Sequence, residues 1–316
     1  MSSYARSYNG LAVFCFLTFA FCLFPGAAFA RQPKIALVLG GGGARGAAHV
    51  GVLRVLEKEG IHIDMITGTS IGAIVGGLYC AGVPVDDIES KFRKPTIMRN
   101  YMTVPLFVSF AARPIFMLPR LIGIRPYDGF YFGNKFRNYY KSCLPKDKQN
   151  IEDLNIPFRA ISTNLMDGEL YPITKGDLAR AVQASSAIPV LRRPVPVDDV
   201  LLVDGAVLEN VPVNQAKVMG ADFIIAVPVN ETLNLEKRDY FRRLGTVARR
   251  IEKIFLSNND DPQINLADVV VHPGVDGIDI LSTSTRDADR AIDAGEEAAR
   301  VAMPEIKKKL AAWTEH

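Results

Sequence analysis

Lys34-Ile35-Ala36-Leu37-Val38-Leu39-Gly40-Gly41-Gly42-Gly43-Ala44-Arg45-Gly46 is the stretch whose reading decides the fold. Its first six residues form a short, branched, apolar run that ends in glycine, the pattern of a strand buried on both faces. A helical pattern follows to Glu59, with Val50, Leu53 and Leu56 on one face, and Gly60 closes it. Ile63 to Thr67 reads as a second buried strand. Gly68-Thr69-Ser70-Ile71-Gly72 then leads into an apolar helix ending near Cys80. A strand-helix-strand-helix opening implies a parallel sheet with helices on its faces.

Further strands are expected at 158–162, 170–174, 200–203, 223–229 and 267–271. Helices are expected at 128–140 and 177–185, and from Asp287 to Trp313 with a break at Pro304. No internal repeat or low-complexity linker divides the chain. The reading is one α/β domain over 31–316, its motif-bearing core at about 35–230 and a helical extension at about 236–316.

The 316 residues hold 37 basic and 34 acidic side chains and are 48% apolar, which argues against disorder. Near balance of charge, with no basic tract, gives no sign of a nucleic-acid partner. Residues 1–30 stand apart. Arg6 is their only charge, Leu11 to Phe24 is uncharged and apolar, and Ala28-Phe29-Ala30 is a small-x-small cleavage pattern. That order predicts a signal peptide cut after Ala30, and hence export to the periplasm or beyond. The alternative is an inner-membrane anchor through residues 11–30. With the leader gone, Cys80 and Cys143 remain, and two unpaired thiols are the expectation.

A second unusual stretch runs from Phe92 to Arg125. It mixes apolar residues such as Phe107, Phe110 and Phe116 with Arg93, Lys94, Arg99, Arg113, Arg120 and Arg125. It reads either as a buried irregular insertion or as a lid facing an anionic lipid interface.

Gly68-x-Ser70-x-Gly72 sits between a strand and a helix, where a sharp turn exposes a serine Oγ and the flanking glycines relieve crowding. Such a serine needs a base. His49 falls in the first helix, His62 in a turn and His316 at the end; His272 follows the last strand without other triad cues. A serine-histidine pair is therefore poorly supported. Asp204 follows the strand Leu201-Leu202-Val203 and precedes Gly205-Ala206, which puts a carboxylate at the sheet's carboxyl edge, where open α/β sheets bind ligands. Gly41-x-Gly43-x-x-Gly46, with Asp64 beyond it, also fits a dinucleotide fingerprint, so an oxidoreductase stays open as an alternative. A glycine turn at a helix start can hold an oxyanion equally well.

Taken in order, Gly40-Gly-Gly-Gly-Ala-Arg-Gly46, Gly68-Thr-Ser-Ile-Gly72, Ala184-Ser-Ser-Ala-Ile-Pro189 and Asp204-Gly-Ala206, with Gly220-Ala-Asp222 later, resemble the patatin-like phospholipases. The resemblance implies a three-layer α/β fold with a mostly parallel central sheet, and hydrolysis of lipid acyl esters of the phospholipase A, lysophospholipase or carboxylesterase type. It implies Ser70 as nucleophile and Asp204 as base, without histidine, metal or cofactor. It places the oxyanion hole around Gly41, Gly42 and Gly43, with Arg45 supporting the loop. Gly46, Gly68, Gly72, Gly205 and Ala206 shape the turns. Many members carry Asp-Gly-Gly where this chain has Asp204-Gly205-Ala206. A catalytically weak lipid binder of the same fold is the remaining alternative.

Overall fold

The structure, a computed structural model, describes residues 32–102 and 127–314. The expected leader at 1–30 and positions 103–125 of the expected lid lie outside the described residues.

The centre of the fold is a sheet in which β1 (Ile35–Leu39) lies between β2 (Met65–Thr69) and β7 (Phe223–Val227), parallel to both. β3 (Phe158–Asn164) continues the parallel run beside β2, and β8 (Val269–Val270) does so beside β7. Antiparallel pieces complete it. β4 (Leu170–Ile173) and β6 (Val200–Asp204) pair with β3, and β5 (Val195–Val197) pairs with β6. The expected α/β class, mostly parallel at the centre, is what the chain adopts.

Alternation along β1 sets the layers. Ile35, Leu37 and Leu39 enter the larger apolar cluster with α1 (Ala48–Lys58) and α2 (Ile71–Cys80). Ala36 and Val38 face the other way, onto Val213 and Ala216 of a short helix, Val213–Val218, and onto Ile264. Period-two alternation in a strand covered on both sides requires two helical layers, which makes the domain three layers deep.

The register on β3 positions the site. β4 pairs with Ala160 to Thr163 without a gap. β2 pairs with Phe158 to Ile161, and β6 with Ser162 to Asn164. A strand has two edges, so with β4 on one of them β2 and β6 share the other, end to end. β2 arrives with Thr69 opposite Ile161, and β6 arrives from the opposite direction with Asp204 opposite Ser162.

Three expectations need correcting. The second strand spans Met65–Thr69 rather than 63–67, so Asp64 precedes it; Asp64 accepts from the Ile35 N–H at 2.7 Å and donates its own N–H to the Ile35 carbonyl. The helix expected at 128–140 spans Asn134–Cys143. The C-terminal helix, Thr285–Thr314, is continuous through Pro304. Proline removes one N–H there, but Pro304 is exposed while Met303 and Ile306 are buried, and packing on the inner face holds the helix together. This helix lies against α1 backbone to backbone: a Cβ at Gly295 would collide with the Ala48 carbonyl, and one at Gly51 with that of Ile292.

The described part of the 92–125 stretch belongs to the core. Helices Val85–Arg93 and Thr96–Tyr101 bury Phe92, Ile97, Met98 and Tyr101. Cys80 is buried and Cys143 half-buried, and neither is in a disulfide.

Candidate active site

Ser70 stands at the end of β2 as the first residue beyond the strand, with φ 54° and ψ −117°. A positive φ is costly for a residue with a side chain, and it persists where the surroundings over-determine it. Here they do. A Cβ at Gly72 would collide with the Leu39 carbonyl, so only glycine lets α2 start this close to β1. Thr67 and Thr69 donate their hydroxyls to the carbonyls of Pro212 and Glu209, at 3.0 and 2.9 Å, and so pin β2 to the segment after β6.

The Ala184-to-Pro189 block clamps both ends of the strand junction. Ser185 Oγ accepts from the Ser70 N–H at 3.1 Å and donates to the Ile161 carbonyl at 2.6 Å. Two residues on, the Ala187 carbonyl accepts from the Asp204 N–H at 3.0 Å. Asp204 Oδ1 accepts from the Ala206 N–H at 2.9 Å, and the Ser70 hydroxyl lies close enough to the carboxylate to favour its charged form. Burial pushes Asp204 up to about 6, against the lowering effect of the Ala206 N–H and the nearby Ser70 hydroxyl. Such a carboxylate is ionised at neutral pH yet basic enough to accept a proton.

The glycine turn faces this pair. Gly41 donates its N–H to the Asn210 carbonyl at 3.2 Å, and Ala44 donates to Ile280 at 2.8 Å. Between them, the N–H groups of Gly42 and Gly43 have no acceptor among the described residues. Gly43 has φ 59°, and a Cβ there would collide with the Ile280 carbonyl. Gly41, expected among the oxyanion donors, spends its N–H on the Asn210 carbonyl here. Arg45, expected to support the loop, is anchored beyond it. It is buried, donates through Nε to the Ile278 carbonyl at 2.7 Å and pairs with Glu231 at 3.4 Å. Of the other motif residues, Gly46 packs on the Ile71 side chain, Gly68 on the Gly72 backbone and Gly205 on the Ile161 carbonyl.

Ser70, Asp204 and Gly41 to Gly43 line one cleft of about 340 Å³. Ile188, Pro189, Val207, Phe255, Leu256 and Ile280 give it apolar walls. None of its lining residues is a histidine. His49 is fully buried, bonds the Gly40 carbonyl through Nε2 at 2.8 Å, and is driven down to about 4 by burial, so it stays neutral and structural. His62 is exposed at the far end of the sheet, beside Asp64. That position of Asp64 also counts against a dinucleotide site, which needs its acidic residue at the carboxyl end of the second strand.

Sequence reasoning missed a polar cluster behind the loop. Asn210 donates to Asp260 at 3.0 Å, Asn230 also hydrogen-bonds to Asp260, and burial pushes Asp260 up to about 7. Asp260 comes from the long helix α8, Thr246–Ile264, some fifty residues away from Asn210, and nothing local in the chain signals the pairing.

A family model described as patatin-like phospholipase matches residues 37–217. Lysophospholipase NTE1 of Mycosarcoma maydis is 34% identical over 208 residues, covering 66% of this chain and 10% of that protein. Patatin-like phospholipase domain-containing protein 7 of Mus musculus is 34% identical over 209 residues, covering 65% of this chain and 14% of that one. The chain thus matches a small part of these longer relatives. Among solved structures, VipD from Legionella pneumophila aligns with 87% of this chain and 67% of that one, at 15% identity and a TM-score of 0.49.

Proposed function

Because this chain belongs to the patatin-like phospholipase family, whose members are carboxylic ester hydrolases, we propose that it cleaves lipid acyl esters through a Ser70–Asp204 dyad. The observation that carries the proposal is a buried Asp204 carboxylate beside Ser70 in one cleft, whose wall also holds the Gly42 and Gly43 N–H groups, without an acceptor among the described residues. Ser70 Oγ attacks the acyl carbonyl as its proton passes to Asp204. The N–H groups of Gly42 and Gly43 hold the tetrahedral oxyanion, each contributing about 3 kcal/mol by analogy with other hydrolases. Collapse expels the alkoxide, which takes the proton from Asp204 and leaves an acyl-serine. Water then attacks, gives its proton to Asp204, and the acid departs as Ser70 recovers its proton. The apolar walls suit an acyl chain, and no step requires a cofactor.

Labelling with a fluorophosphonate tests this. Ser70 Oγ should displace fluoride and carry the phosphonyl group, located by peptide mapping, and esterase activity should fall in step with labelling. A protein that hydrolyses no acyl ester and takes no label would instead be a lipid binder of the same fold.

A further inference from the structure

We propose that the exposed face of α8 and the segment leading into it form a docking surface for an anionic lipid bilayer, placed to deliver substrate to the cleft; its link to catalysis rests on the ester-hydrolase reading above.

Val247, Ile251 and Phe255 recur at intervals of four residues, which sets them along one side of the helix, and Leu244 stands just before its first turn. They face solvent: Leu244 is fully exposed, Ile251 61%, Val247 53% and Phe255 45%. The segment before α8 adds Leu235, also fully exposed, and Phe241. Scattered exposed apolar residues are ordinary on a protein, but a continuous stripe of them is not. The stripe also has a direction. Phe255 is both exposed and part of the cleft wall that also holds Ser70, which ties the stripe to the cleft. Across the mouth, Val190 and Leu208 are exposed beside the lining residues Pro189 and Val207.

Charge selects the partner. Lys237, Arg238, Arg242 and Arg243 are exposed around the stripe. The acids of the same stretch are fewer, and Glu252 is turned into the cleft. Apolar anchors flanked by cations match a headgroup layer of negative charge. A rigid protein seated on this stripe would close the mouth of the cleft, whereas a bilayer would offer acyl chains to it. No helix among the described residues is long and apolar enough to cross a membrane, so this face rests on the bilayer rather than passing through it.

Vesicle flotation of the full chain carrying Ser70→Ala, which leaves the lipid intact, is the test. The protein should float with phosphatidylcholine–phosphatidylglycerol vesicles in preference to pure phosphatidylcholine. Leu244→Asp combined with Ile251→Asp should weaken flotation at least about tenfold, and Leu244→Ser, which removes apolar area without adding charge, should do so to a smaller degree. Arg242→Gln with Arg243→Gln should erase the preference for the anionic mixture. Unchanged thermal melts verify folding, as expected for exposed positions. Flotation unaffected by the stripe substitutions overturns the proposal, and so does equal binding to both vesicle types. Loss of a dimer on ultracentrifugation without loss of flotation would assign the face to a second copy. Binding is read apart from turnover, so stripe-dependent flotation by a protein whose Ser70 form is inert would remove the hydrolase reading and leave the docking surface standing.

Discussion

Ser70 and Asp204 are brought together by a strand to which neither belongs: β3 pairs Thr69, the residue before the serine, with Ile161, and pairs Asp204 with Ser162. Two chain segments more than a hundred residues apart thus end on consecutive positions of one template. Ser70 and Asp204 meet head-on at a seam in the sheet, and their separation is set by backbone ladders rather than by flexible side chains.

On the proposed mechanism Ser70 and Asp204 act as a unit, so their removal should not be additive. Ser70→Ala and Asp204→Asn should each lower kcat/KM for a soluble ester by at least about a thousandfold, and the double variant should be hardly worse than either. His272→Ala, at an exposed residue away from the cleft lining, should stay within about tenfold of wild type. Steady-state kinetics with circular dichroism as a folding control decides the matter. A dead His272→Ala beside an active Asp204→Asn would replace the dyad with a triad.

Activity should follow the ionisation of Asp204. Burial raises this carboxyl to about 6, and only its deprotonated form can accept the serine proton. The value of kcat/KM should therefore climb as pH rises through about 6 and level off above it. A pH–rate profile that is flat across that range, with its acid limb near the ordinary carboxylate value, would separate Asp204 from the proton transfer.

Asp260 makes a prediction about stability instead. Its folded pKa of about 7 lies above that of an unfolded aspartate, so the folded state binds the proton more tightly. Its stabilising contribution is complete below about pH 4 and is lost as pH rises through 7. Asp260→Asn removes that loss and supplies an amide donor where the Oδ1 atoms of Asn210, Asn230 and Asp260 all lack a partner. The variant should melt a few degrees higher than wild type at pH 8, with no gain at pH 4. A lower melting temperature at pH 8 would show that the two asparagines stabilise the ionised carboxylate well enough to offset its burial.

Much of this site was legible because its signals are local. Short apolar runs ending in glycine marked β1, β2 and β6, and the flanking glycines singled out Ser70 before any coordinates. Even the roles of Ser185 and Ala187 lay within a quoted block, although their contacts could not be read from it. What stayed hidden depends on distance along the chain. The burial of Asp260 by Asn210 and Asn230 has no periodicity to detect. The misplaced start of β2 came from counting Ile63 as a strand residue on hydrophobicity alone, when the ladder to β1 begins at Met65. The break expected at Pro304 failed because tertiary packing outweighed a local preference.

The position of β7 bears on where this catalytic unit can be cut. The family-model match ends at residue 217, yet β7 begins at Phe223 and occupies an inner place in the sheet. Excision at that limit would strip β1 along one whole side and leave the Gly40 N–H without the Val227 carbonyl. The same cut would take away Ile280, Ile278 and Glu231, the three attachments that hold Ala44 and Arg45. The portion most easily recognised in distant relatives is therefore not a transplantable module. Any graft of this chemistry onto another protein has to carry the C-terminal third along with the motifs.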